Sequence, residues 1–162
     1  MDGITIATFC LVAVTLLLAL VGVVQIFVIR KENKLERTLA ACNRYESDAI
    51  IEGCVRRLRE AQNRKEFEGK EKDFQQDIVM VLNYLDTIAI GVQQGLYDEN
   101  LAWDHTEAIV RKWHDSLLTP DTARAADISL RDYDRLCKMA KRWANVEPRF
   151  RRGWRRRWWR ST

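Results

Sequence analysis

Ile4 to Ile29 reads ITIATFCLVAVTLLLALVGVVQIFVI, about 26 residues with no charged side chain, and Arg30-Lys31-Glu32-Asn33-Lys34 follows at once. As a helix this run would be ~39 Å long against a hydrocarbon core of ~30 Å, so it can span a bilayer with some tilt or with one end in the headgroups. Its polar groups do not forbid that. Thr5, Thr8 and Thr15 can donate their hydroxyls to helix carbonyls, and Gln25 lies near the basic flank, where its amide reaches the interface.

A secretory signal peptide would want a basic start, a shorter apolar stretch and a small-x-small cleavage site. Met1-Asp2-Gly3 holds no Lys or Arg, and the run closes on Phe27-Val28-Ile29, so the pattern predicts an anchor. Gly3 stands third, outside the N-myristoylation pattern. No Lys or Arg precedes the run, whereas Arg30, Lys31, Lys34, Arg37 and Arg44 follow it. The positive-inside rule then predicts a single-pass protein of the inner (plasma) membrane, N-terminus outside and C-terminal body in the cytoplasm. Ala13, Ala19 and Gly22 leave room for a second helix to approach, although no GxxxG is present.

The whole chain has 162 residues, of which 31% are charged, and Asp2 is the only charged residue before Arg30. That segregation excludes an ordinary soluble globule. The lack of a second long apolar run excludes a multi-span channel or transporter. Seven Gly and two Pro argue against a turn-rich β chain.

Beyond the anchor the periodicity is helical. Arg30 to about Asn63 reads as helix, with Leu35, Leu39 and Cys42 on one stripe and Ile50, Ile51, Cys54, Val55 and Leu58 on a second. Asn63 to Asp73 carries eight charges in eleven residues plus Gly69, and reads as a solvated hinge or frayed turn. Phe74, Ile78, Val81, Leu82, Leu85, Ile88, Ala89, Val92 and Leu96 keep helical spacing, and Gly95-Leu96-Tyr97-Asp98 supplies a stop, a connection and an N-cap. Leu101, Ala102, Ile109, Val110, Trp113 and Leu117 give the next helix its apolar face, ended by Thr119-Pro120-Asp121. A last helix from about Leu130 to Asn145 carries Tyr133, Leu136, Cys137, Ala140 and Trp143. The expected fold is all-α: a transmembrane helix within residues 1–29, a juxtamembrane helix and charged hinge over 30–73, a helical domain built on an antiparallel hairpin over 74–147, and a tail over 148–162.

Reactive residues are present without a reactive arrangement. Cys42, Cys54 and Cys137 would face a reducing cytoplasm, no CxxC occurs, and neither His105 nor His114 stands at ligand spacing from a cysteine. The three thiols therefore read as small, semi-buried hydrophobes. His105 and His114 are half a turn out of register on a helix, which keeps them from one metal. His114-Asp115-Ser116 has the composition of a triad only, since consecutive side chains on a helix diverge. Asp98, Glu99, Asp104 and Glu107 open a helix, where capping and dipole compensation come first. With no phosphate loop, HExxH or GxSxG, no catalytic residue, metal or cofactor is expected, and the chain is expected not to be an enzyme.

The stretch Val81-Leu82-Asn83-Tyr84-Leu85-Asp86-Thr87-Ile88-Ala89, followed by Gly95-Leu96-Tyr97-Asp98-Glu99 and the distal Trp113, resembles the DUF4760 family of bacterial and phage-type proteins. The resemblance covers roughly Phe74 to Leu117 and implies a membrane helix ahead of a helical body. It implies no activity and no catalytic residue.

The tail stands outside that resemblance. Arg149, Arg151, Arg152, Arg155, Arg156, Arg157 and Arg160 alternate with Phe150, Trp154, Trp158 and Trp159, and no acid interrupts them. Arg30 to Pro148 holds 20 basic and 22 acidic residues, so the positive charge of the protein, +4 overall, resides in this tail. Phe150, Trp154 and Trp158 share a helical face. Trp rings favour the headgroup interface, and each Arg near an anionic leaflet contributes ~1 kcal/mol, so the expected partner is an anionic phospholipid surface. The expected role is a membrane-anchored interaction or regulatory module with a protein partner or self-association. Alternatives are a membrane-active phage or defence effector, and a membrane-tethered nucleic-acid binder using Arg on phosphates and Trp on unpaired bases.

Overall fold

A computed structural model describes the backbone of residues 3–64, 66–67 and 69–145, with side chains from Leu11 onward. The described residues form helices and turns and contain no strand, as the periodicity predicts. The first helix, α1 (Gly3–Ser47), runs unbroken for 45 residues, so the apolar run and the basic flank are one rod. It stops at Asp48, whose extended backbone and carboxylate open α2 (Ala49–Asn63) by accepting the amides of Ile50 at 3.0 Å and Ile51 at 3.4 Å. The single helical stretch expected over Arg30–Asn63 is therefore two helices. An Asx cap satisfies amides that the next turn would otherwise leave open, and it re-aims the second apolar stripe at a new neighbour.

The charged stretch after α2 is not the freely solvated hinge its composition suggests. Phe67 is buried, with its ring 5.8 Å from that of Phe74, which ends a 3-10 turn over Glu71–Phe74. One aromatic anchor outweighs the neighbouring charges, because Arg64, Glu66 and Lys70 stay exposed to water while the ring leaves it.

Helix α3 (Gln75–Gln93) buries Ile78, Val81, Leu82, Leu85, Ile88 and Val92, the face its spacing predicts. It ends in a Schellman motif: Gly95 takes φ +70°, the Leu96 amide donates to Gly91 O at 2.9 Å, and the Gly95 amide donates to Val92 O at 3.1 Å. Asp98 then caps α4 (Glu99–Leu117) through the amides of Asn100 and Leu101. Thr119-Pro120-Asp121 does not merely end that helix. Thr119 caps the Thr122 amide and Pro120 takes the first position of a short α5 (Pro120–Ala125). A 3-10 turn over Leu130–Tyr133 leads into α6 (Asp134–Asn145).

Side-chain bonds fix the relative directions. Thr38 meets Asp98 and Tyr45 meets Trp113, so α4 runs alongside α1 in the same sense. Tyr84 meets Cys42, and past the end of α3 Tyr97 lies beside Arg37 and Asp98 on Thr38, so α3 runs back along α1. Tyr133 meets Asn83 and Trp143 meets Glu99, so α6 returns with it. One core joins Cys42, Tyr45, Leu58, Leu82, Trp113 and Leu136, so helices on both sides of position 73 share it. Each fully buried aliphatic of this set contributes ~1.5–3 kcal/mol.

Candidate membrane interface

Helix α1 holds the site's first part. From Leu11 onward it is long and apolar enough to cross a membrane, and its apolar stretch is not buried against the rest of the chain. Thr15 donates its hydroxyl to Leu11 O at 2.8 Å, the helical self-satisfaction that lipid requires. Arg30, Lys31, Arg37 and Arg44 are exposed beyond the apolar run, and Lys34 is half-buried.

Three contacts lock the body to the far end of this rod. Thr38, fully buried, donates to Lys34 O at 2.7 Å and accepts the Asp98 amide at 2.8 Å. Tyr84 donates to Cys42 O at 2.9 Å, and burial pushes its phenol above the ordinary tyrosine range. Tyr45 accepts from Trp113 Nε1 at 2.9 Å and from Arg59 at 3.3 Å. A Thr inside a helix pattern and a Tyr near its end carry no sequence signal for such a role, because their partners lie 60 and 68 residues away.

The same lock reaches α6. Glu99 Oε1 accepts from Trp143 Nε1 at 3.0 Å and pairs with Arg142 at 2.5 Å, so the last described turn sits on the start of α4, one residue from Asp98. Arg149, Phe150, Arg151, Arg152, Trp154, Arg155, Arg156, Arg157, Trp158, Trp159 and Arg160 lie outside the described residues.

The remaining reactive groups are accounted for by packing. Cys42 and Cys54 are buried and Cys137 half-buried; burial pushes the Cys42 thiol up to about 11 and raises the other two. A thiol so raised is a poor nucleophile at neutral pH. His114 Nδ1 does approach Asp115 Oδ1, at 2.9 Å on the surface, contrary to the divergence expected of neighbours on a helix. Ser116 donates to Lys112 O and stands outside that contact. Glu107 pairs with Arg111. Among the described residues no three His, Cys, Asp or Glu side chains converge as metal ligands.

A family model described as Domain of unknown function (DUF4760) matches residues 11–143. The chain belongs to the DUF4760 family. The match takes in the apolar helix, the lock on Thr38 and all of the core, and it stops short of the arginine–tryptophan tail, so this DUF4760 protein carries its basic segment beyond the matched region. No curated protein and no solved structure matches the chain.

Proposed function

We propose that this protein is a single-pass membrane-anchored interaction module, with its N-terminus outside, its helical body in the cytoplasm and its Arg149–Arg160 tail on the anionic leaflet. It acts by holding a partner-binding body at the membrane rather than by catalysis. The observation that supports this reading is the position of Asn145. It ends a helix pinned through Trp143 and Arg142 to Glu99, beside the Asp98 amide that Thr38 holds. Thr38 is nine residues past Ile29, which is ~13 Å of helix rise. Asn145, the last described residue, thus lies on the side of the body nearer the anchor, so a tail continuing from it would start within a short chain length of the headgroups, where effective concentration favours a second contact.

The test uses the full chain with a donor fluorophore at its C-terminus, reconstituted into vesicles carrying an acceptor on the headgroups. Energy transfer is expected to rise when phosphatidylglycerol replaces part of the phosphatidylcholine, to fall at high salt, and to drop in the variant Trp154→Ala, Trp158→Ala, Trp159→Ala. Equal transfer in neutral and anionic vesicles refutes the tail's role. Protease access to the tail from the outer side of intact cells refutes the orientation.

A further inference from the structure

Outside the membrane-crossing part of α1, the exposed large hydrophobic side chains among the described residues are Leu39, Ile50, Met80 and Leu96. Three of the four meet in one place. Ile50, 62% exposed, Met80, 37%, and Leu96, 48%, line a groove of ~680 Å³ between the last turns of α1 and helix α3, floored by Ala40, Ala41 and Ile88. One wall is the Tyr97 ring, which lies where a Cβ on Gly91 would stand, so the glycine lets the ring seat against α3.

The rim is cationic and unequal. Arg37 and Arg44 stand two turns apart on α1. Arg44 is paired with Asp48 at 3.3 Å, whereas Arg37 makes no ion pair among the described residues. Arg37 also marks the end of the groove nearer the anchor: it lies eight residues past Ile29, ~12 Å of rise, of which the headgroup layer occupies ~5–7 Å. A mainly apolar lining, interrupted by Asn83, Tyr84 and Thr87, with one unpaired guanidinium at the end nearer the anchor is complementary to a single-chain anionic amphiphile.

We propose that the groove binds one long-chain fatty acid drawn from the adjacent leaflet, its carboxylate on Arg37 and its chain between α1 and α3. The volume falls within the ~300–1,000 Å³ of small-ligand sites, and a guanidinium takes a carboxylate by two parallel hydrogen bonds. Two other occupants meet like charge. The chain's own tail would bring its arginines against Arg37 and Arg44, and a second copy on a parallel anchor would set both arginines facing their own counterparts at the same height. This inference does not depend on where the tail lies.

The experiment places the full chain in phosphatidylcholine nanodiscs with a diazirine-bearing palmitate analogue, followed by peptide mapping after illumination. Labels are expected at Met80 and Leu96, displaced by excess palmitate and not by hexadecanol. Arg37→Gln should reduce groove labelling about tenfold, the worth of one charge-assisted contact, with the melting midpoint unchanged. Ala40→Trp fills the groove from an exposed position and should abolish the labels while leaving the helical signal intact. Labels confined to Leu11–Ile29, equal displacement by hexadecanol, or undiminished labelling in both variants overturns the proposal. So does a disulfide between two copies of Met80→Cys, which would give the groove to a second chain.

Discussion

Leu11–Ile29 and Arg30–Ser47 belong to the same helix and are written to opposite rules. In the first, apolar side chains are exposed around the full circumference; in the second, Thr38, Cys42 and Tyr45 are buried on one face and charged residues occupy the others. A helix apolar all round suits lipid, and a helix with one apolar stripe suits a protein neighbour. The backbone is indifferent to the change. What differs is the solvent each half is built for, and the junction falls at Arg30.

Four experiments break or sharpen that contrast. The largest effect belongs to the body. Trp113→Ala removes a fully buried ring and the donor to Tyr45, and should cost ~3–5 kcal/mol in chemical denaturation of the detergent-solubilised chain. Next, Leu18→Arg puts a charge at the middle of the apolar run and should cost ~2.5–3.5 kcal/mol of insertion, read as the fraction of chain recovered in membranes. The two variants should not share a phenotype: the first loosens the body in a membrane-bound protein, and the second releases a folded body. Thr38→Val leaves the Asp98 amide without its acceptor and should cost ~1–3 kcal/mol, with faster hydrogen exchange at that amide.

The smallest effect is electrostatic. Two hydrogen bonds from Arg57, at 2.8 and 2.5 Å, hold the Asp77 carboxyl below its ordinary range. A carboxyl depressed on folding stabilises above its unfolded pKa of ~4, and that contribution is lost as pH falls through the folded value. Arg57 is half exposed, so the pair is worth under ~1 kcal/mol. Asp77→Asn should therefore be less stable than the parent at pH 7 and converge on it in strong acid. Asp86, on the same helix, has the opposite sign: burial raises its carboxyl, so its contribution declines as pH rises through the range between its unfolded and folded values.

Much of this was legible in the residues. The faces of α3 and α4, the Gly95 stop and the Asp98 cap follow from spacing and from the chemistry of the turn, because each depends on residues within a few positions of one another. The misreadings have physical causes. Thr119-Pro120 is a helix end and a helix beginning at once, since a cap followed by Pro starts α5 as readily as it closes α4. Asp48 divides α1 from α2 through two local amides, a choice that continuing helical propensity on both sides conceals. Phe67 is a single ring among charges, and nothing nearby marks it as buried. The groove has no local signature: Arg37, Met80 and Leu96 are unremarkable apart, and only the return of α3 along α1 brings them together.

The unbroken course of α1 has a mechanical consequence. No helix-breaking residue separates Gly22 from Ser47, and the body grips the rod at Thr38, Cys42 and Tyr45. If the apolar half of α1 is held in a bilayer, rod and body would move together as a lever pivoting there. Tyr45 stands sixteen residues, or ~24 Å, beyond Ile29, so a tilt of ~20° carries it sideways by ~8 Å. Membrane thickness, by setting that angle, would then set how far the body leans over the surface beneath it.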